Sequence, residues 1–386
     1  MIRPYIKTFI LLATVTYFVA CSPVKFNKVA GENDCANVGG QAACIQSCDA
    51  NGACFADYDI KKQVGKGVAD ILFIDDNSGS MSPEQQRMAD SFPTFMSSIS
   101  ATDYRVAITT TDVTGVSRAS GQPVSPYPAG RDGSLVDFGS GAGKFLTPTS
   151  GNVDALFKGQ IKRQETLTCE ASNYSSGSCA SADERGIYAA YLAAAKNESG
   201  FIRSSGHMAI IVLADEDVRS NLYCDGKSSS TACLSNFNLQ TQDKPAFFLE
   251  DFKKRFPNKT ISVHSIIVND SSCQSAQTGQ LGNPNIVGSI GTQYRNLSQM
   301  TGGVVGSICA SNYQSQLGTI GSMITDQINN IAFACAPYQG QFALYINGSP
   351  ANSSQYTVDQ SKWVIDFTTA LSANTQIQLT YKCKLN

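Results

Sequence analysis

From about residue 68 to residue 332 the apolar positions alternate between a strand rhythm and a helix rhythm. Residues 69–75 form a near-continuous apolar run, the pattern of a strand covered on both faces of a parallel sheet. Ser82-Pro83-Glu84-Gln85 then reads as a helix start with Ser82 as N-cap, and Met88, Phe92, Phe95, Met96 and Ile99 follow along one helix face. Residues 104–111 predict a second strand. Residues 115–162 are rich in Gly, Pro and Ser and predict no long element. A helix through Ile187, Tyr188, Tyr191 and Leu192 leads to another apolar strand at residues 208–213. Residues 247–256 suit a helix, 261–268 a strand, and 294–303 a helix stopped by glycine. A strand ending at Ile308 and an amphipathic helix through Leu317, Ile320, Ile324, Ile328 and Ile331 close the series.

This alternation argues for an α/β fold, a doubly wound and mostly parallel sheet flanked by helices. Past Cys335 the rhythm changes to period two, in Phe342/Leu344/Ile346, Trp363/Ile365/Phe367 and Ile377/Leu379/Tyr381, which predicts a small C-terminal β module. Residues 22–65 mix polar, Gly and Cys positions with little periodicity and read as a tether ending in a disulfide-stapled knot. The expected partition is therefore a leader at 1–20, a lipidated tether at 21–65, the α/β domain at 66–332 and the β module at 333–386.

Arg3 and Lys7 precede twelve mostly apolar residues, 9–20, too few to span a bilayer and suited to a secretory signal. Phe18-Val19-Ala20-Cys21 resembles the bacterial lipobox, in which the cysteine is lipidated; a plain signal peptide cut near Ala20 is the alternative. Lipidation of Cys21 implies a bacterial cell-envelope protein, and Ser22 in place of Asp points to the outer membrane. Of 13 cysteines, setting Cys21 aside leaves 12, enough for six bridges in an oxidising compartment. Cys35, Cys44, Cys48 and Cys54 cluster without a unique pairing, while Cys169/Cys179, Cys224/Cys233, Cys273/Cys309 and Cys335/Cys383 are the plausible remaining pairs. Thiolate metal binding is disfavoured, because the chain has only two histidines and no C-x₂-C. A net charge of -2 gives no electrostatic reason to bind nucleic acid.

The chemistry concentrates at Asp76-Asn77-Ser78-Gly79-Ser80, just past the first apolar strand. A carboxylate and two hydroxyls at alternate positions form an oxygen-donor cluster of the kind hard cations prefer. Asp215 stands just past the strand at 208–213, and open α/β sheets bind ligands beyond the carboxyl ends of their strands. The motif D-x-S-x-S, the strand ending Val212-Leu213-Ala214-Asp215 and the Tyr294…Leu297…Thr301-Gly302-Gly303 segment, in that order, resemble the von Willebrand factor A-type family over roughly residues 66–332. The resemblance implies a metal-ion-dependent adhesion site. Asp76, Ser78, Ser80 and Asp215 match its motif positions, and Ser181, ahead of Gly186, stands where the family has a threonine; Ser178 is a second option. It implies a divalent cation, Mg²⁺ first with Mn²⁺ or Ca²⁺ as alternatives, whose open position accepts a carboxylate from a protein partner. Asp75 and Asp112 lie near strand ends and read as turn or cap residues.

Other motifs carry less. Residues 139–144 lack the first glycine and the final Ser/Thr of a phosphate loop. His207 and His264 sit on predicted strands and read as structural. The expectation is a lipid-anchored binding or adhesion protein, not an enzyme, with partners limited to a carboxylate-bearing protein and the membrane. A hydrolase using the same cation to activate water and a metal-free structural envelope protein are the alternatives.

Overall fold

The computed structural model describes residues 36–38, 41–48, 54–64, 67–113, 127–174, 178–180, 184–218, 239–257, 259–279, 288–329, 331–333, 335–361, 363–368, 371 and 375–385. Cys21, Cys35, Ser181, Cys224 and Cys233 lie outside them, as does the apolar leader. Among the described residues no helix is long and apolar enough to cross a membrane.

Strands β1 (Ala36–Val38), β2 (Gln41–Cys48) and β3 (Cys54–Val64) form an antiparallel meander. The α/β series follows. β4 (Val68–Asp75) leads through a 3₁₀ turn at Gly79–Met81 into α1 (Ser82–Ile99) and β5 (Asp103–Thr110). Next come α2 (Val153–Ile161), α3 (Gln164–Ala171), α4 (Gly186–Lys196) and β6 (Gly206–Ala214). Then α5 (Pro245–Arg255), β7 (Lys259–Ile267), α6 (Ser271–Gln277), α7 (Thr292–Met300), β8 (Val305–Ser307) and α8 (Gln314–Asn329) complete it.

Five of these strands form a parallel sheet in the order β5-β4-β6-β7-β8. Counted within the sheet this is the order 2-1-3-4-5, whose direction reverses between its first and third strands. The expected doubly wound α/β fold is therefore what the chain adopts. Pleating sends Ile71 and Phe73 of β4 to one face and Leu72 and Ile74 to the other. On the first face they meet Met88, Phe92 and Phe95 of α1, Phe157 of α2, and Leu317, Ile320 and Ile324 of α8. On the second they meet Ile187 of α4, Phe248 and Phe252 of α5, and Leu297 of α7. With helices on both sides the central strands β4 and β6 carry apolar residues on both faces, which is why they read as near-continuous runs.

The remaining strands are β9 (Ile331–Ala332), β10 (Phe342–Ile346), β11 (Ser349–Pro350), β12 (Tyr356–Asp359), β13 (Val364–Phe367) and β14 (Thr375–Leu385). One sheet runs β1-β2-β3-β14-β10-β11 and a second β12-β13-β9. Here the tether reading is corrected for its described residues, 36–38, 41–48 and 54–64. β3 pairs with β14 along its whole length, from Cys54↔Leu385 to Val64↔Thr375, so the N-terminal strands belong to the β module. The physical reason is burial: Ala56 and Tyr58 pack with Ile331, Phe333, Ile365, Leu379 and Tyr381, and the Tyr58 and Tyr381 rings stack at 5.0 Å. Ile331 likewise closes no helix; it lies in β9.

Three expected bridges are formed: Cys169–Cys179, Cys273–Cys309 and Cys335–Cys383. Cys48 and Cys54 are register partners between β2 and β3, and Cys44 is opposite Asp57. Ser82 is the first residue of α1 and not its N-cap, because the 3₁₀ turn at Gly79–Met81 runs directly into the helix. α2, α3 and α6 were not anticipated.

Candidate functional site

β4 and β6 are adjacent parallel strands on either side of the reversal in strand order, and Asp76 and Asp215 each follow the last residue of one of them. The pairing runs one step past the strands, since the Asp76 N–H donates to the Leu213 carbonyl at 3.0 Å. Both aspartates are buried, at 0% and 1% exposure. The chain then turns on an Asx-type bond, in which the Ser78 N–H donates to Asp76 Oδ1 at 2.9 Å. That turn brings Ser78 Oγ and Ser80 Oγ to 2.9 Å from each other. The Ser80 hydroxyl also lies close enough to the Asp215 carboxyl to lower its pKa. Asp76, Ser78, Ser80 and Asp215 therefore converge, although the last is 135 positions from Ser80 (215 − 80).

The electrostatics of this cluster are those of several carboxylates buried close together. Burial, and then the Asp76, Glu216 and Glu84 carboxylates, hold the Asp215 pKa well above its ordinary range, against the lowering effect of the Ser80 hydroxyl. Asp75 is likewise raised, by burial first, with Arg163 opposing and Asp76 and Glu165 adding to it. Asp215 Oδ1 and Asp75 Oδ1 are shielded from solvent and have no hydrogen-bond partner among the described residues. Among the described residues no group of three or more His, Cys, Asp or Glu side chains is placed to hold a metal by itself. A cation here would depend on the serine hydroxyls and on water alongside the carboxylates. Such a mixed donor set suits a hard cation.

Several residues that shape the site escaped sequence reading. Gln85, on the first turn of α1, sends Nε2 to Asp75 Oδ2 at 3.1 Å, to the Asp76 carbonyl at 3.0 Å and to Thr166 Oγ1 at 3.0 Å. Its Oε1 accepts the Arg163 N–H at 2.9 Å. α3 packs against the motif loop through polar side chains. Asn77 Nδ2 donates to Glu165 Oε1 at 3.2 Å, Thr166 Oγ1 donates to the Asn77 carbonyl at 3.0 Å, and Arg163 Nε pairs with Glu165 at 2.7 Å. Glu84 is fully buried, accepting from Arg87 and from Gln277 Nε2. Asp75, expected as a turn or cap residue, is a fully buried member of this network.

The start of α4 is fixed by β5 and by α7. Ser181 lies outside the described residues; Ser178 is described, and its carbonyl accepts from the Tyr127 hydroxyl at 3.1 Å. Asp112 and Glu184 form an isolated bridge, and the Arg185 N–H donates to the Thr111 carbonyl at 2.9 Å. Arg185 is fully buried, paired with Asp243 at 2.6 Å and stacked on Tyr188 at 4.5 Å, which fixes the start of α4. There the Gly186 N–H donates to Tyr294 Oη at 3.1 Å. A Cβ at Gly186 would lie 2.6 Å from that oxygen, so the helix start needs glycine to approach α7. Burial, then the charges of Asp217 and Asp76, raise the Tyr294 pKa well above its ordinary value.

No family model matches the chain, and no curated protein matches it. Among solved structures, a von Willebrand factor type A protein from Catenulispora acidiphila is 16% identical with a TM-score of 0.32, over 86% of this chain and 61% of that one. The pilus adhesin SpaC from Lactobacillus rhamnosus GG is 12% identical with a TM-score of 0.39, over 90% and 43%. Proximal thread matrix protein 1 from the mussel byssus is 12% identical with a TM-score of 0.29, over 69% and 47%. The chain thus spans less than two thirds of the length of each of these structures. The α/β, Rossmann-like class of this chain follows from its own parallel sheet, covered by helices on both faces.

Proposed function

We propose that this chain is a cell-envelope binding protein that captures a protein partner through a divalent cation. Asp76, Ser78, Ser80 and Asp215, with Ser181 from the loop before α4, would hold the cation, Mg²⁺ first and Mn²⁺ or Ca²⁺ as alternatives. The observation that carries this reading is the convergence of two buried carboxylates and two hydroxyls at the reversal point of the sheet, with a shielded Asp215 oxygen lacking a hydrogen-bond partner among the described residues. Burying that much negative charge is costly unless a cation offsets it. The bound cation would supply a Lewis-acidic position for a carboxylate of the partner. Neutral hydroxyl donors leave more of the cation's charge for that incoming ligand than an all-carboxylate cage would.

Binding, not turnover, is the proposed outcome. His207 and His264, the two imidazoles in the chain, are committed to a buried network between strands. Lipidation at Cys21 would place the domain at the outer membrane, and no nucleic acid is involved. Purified protein incubated with envelope extract should retain a partner in Mg²⁺ and release it in EDTA. A partner retained equally in EDTA would contradict cation-dependent capture. Protein recovered wholly soluble with an unmodified Cys21 would contradict the anchor.

A further inference from the structure

The loop closed by the Cys169–Cys179 bridge carries a backbone feature that packing alone does not call for. Asn173 and Tyr174 follow α3 in consecutive left-handed conformations, with φ of 52° and 62°. Asn visits that region readily, but a bulky aromatic residue rarely does. The turn is nonetheless held firmly. The Tyr174 N–H donates to the Cys169 carbonyl at 2.9 Å, and the Asn173 N–H donates to the Glu170 carbonyl at 3.0 Å. Strained residues of this kind persist where the surroundings over-determine them, commonly at binding sites.

The strain has a definite result. It lays the Tyr174 ring edge against Gly79, the residue between Ser78 and Ser80; a Cβ there would lie 2.8 Å from Tyr174 Cε1 and 2.9 Å from Cδ1. The phenol oxygen is shielded from solvent and has no hydrogen-bond partner among the described residues. Burial, then the charges of Glu170 and Asp215, raise the phenol's pKa, so beside the motif loop it stays a protonated O–H. A donor kept dry and unmatched beside a binding site loses hydrogen-bond energy until a ligand supplies the acceptor.

We propose that Tyr174 recognises the partner's carboxylate, donating its phenol O–H to the carboxylate oxygen that the cation leaves free. This rests on the cation-dependent reading of the site, and it assigns to α3 and its disulfide the presentation of a second recognition group. A carboxylate would then be read at both oxygens, one by charge and one by a directed hydrogen bond, which separates it from a lone hydroxyl or carbonyl ligand.

The test uses the oxidised full chain with Mn²⁺ as cation and acetate as carboxylate probe, reading paramagnetic broadening of the acetate methyl protons. Tyr174→Phe keeps the ring against Gly79 and removes only the donor. It is expected to weaken acetate binding about tenfold, the effect of one hydrogen bond to a charged group, with Mn²⁺ affinity and melting temperature unchanged. Equal acetate affinity in the two proteins would overturn the role of Tyr174 and leave the cation reading standing. Weaker Mn²⁺ binding by Tyr174→Phe would overturn it too, because the phenol would then serve the cation itself. Failure of the wild-type chain to bind Mn²⁺ would overturn the cation reading and this role together.

Discussion

Gly79 sits between the two serines of the motif, and its hydrogen is turned toward α3 and the residues that follow it. A Cβ built there would stand 2.6 Å from Cys169 Sγ and 2.8 and 2.9 Å from two Tyr174 ring carbons. Ordinary contacts between such atoms lie at roughly 3.5–4.0 Å, so Gly79→Ala demands a movement of about 1 Å. Neither neighbour yields easily. Cys169 is on α3 and bridged to Cys179, and the Tyr174 N–H is bonded to the Cys169 carbonyl. Overpacking of this kind costs about 1–3 kcal/mol, which for a domain this large is a fall of about 2–4 °C in melting temperature per kcal/mol. A shift of the motif loop by about 1 Å exceeds the ~0.5 Å tolerance of a preorganised site. Gly79→Ala should therefore lose both stability and cation affinity, read by thermal unfolding and by calorimetric titration with Mg²⁺. Wild-type stability in the variant would refute the packing of α3 against the motif loop.

Two other consequences concern the scaffold. The Val304 N–H donates to His264 Nδ1 at 3.1 Å, so the ring proton is on Nε2 and points to Ser262 Oγ at 2.9 Å. The Ser262 hydroxyl must then donate to His207 Nε2 at 2.8 Å, leaving His207 Nδ1–H for Thr260 Oγ1 at 2.8 Å. Burial pushes His207 down to about 3 and His264 down to about 4 from the usual 6.5. The unfolded chain takes up protons below pH 6.5 that the folded chain refuses, so the stabilisation is complete above that pH. It is lost at about 1.4 kcal/mol per pH unit and per histidine as the pH falls toward those values. Nitrogen chemical shifts should report opposite neutral tautomers at pH 5; a protonated ring there would refute the chain of donors. Replacing Cys335 and Cys383 by Ser removes a bridge spanning 48 positions, worth about 4 kcal/mol by loop entropy. Guanidinium unfolding should show that loss in the β module with cation binding intact, and a loss below ~1 kcal/mol would refute it.

The α/β series was legible because double-sided burial writes itself into sequence as uninterrupted apolar strands, as in residues 69–75 and 208–213. The convergence of Asp76, Ser78, Ser80 and Asp215 was legible for a related reason, since each follows or lies just past a strand end of such a sheet. α3 was not legible, because its inward side chains include Glu165 and Thr166, which reach the motif loop by hydrogen bonds and leave no apolar stripe. Gln85 was hidden similarly, reading as part of a helix start while serving as the junction of four groups. Tyr174 gave no signal, because its position depends on a left-handed turn that composition does not announce. The misread tether reflects range. β3 is partnered by β14, over 300 positions away, and no local rhythm specifies such a pairing.

Calorimetric titration of the oxidised wild-type chain with Mg²⁺, in parallel with Asp76→Ala, addresses the proposed site most directly. The two buried carboxylates and paired serine hydroxyls predict saturable binding of one cation per chain. Asp76→Ala should abolish it while still unfolding cooperatively, because the residue lies at a strand end and outside both apolar clusters. Ser181→Ala should weaken it less, having lost a neutral donor that water can replace. Absence of saturable divalent-cation binding by the wild-type chain, or undiminished binding by Asp76→Ala, would contradict the account.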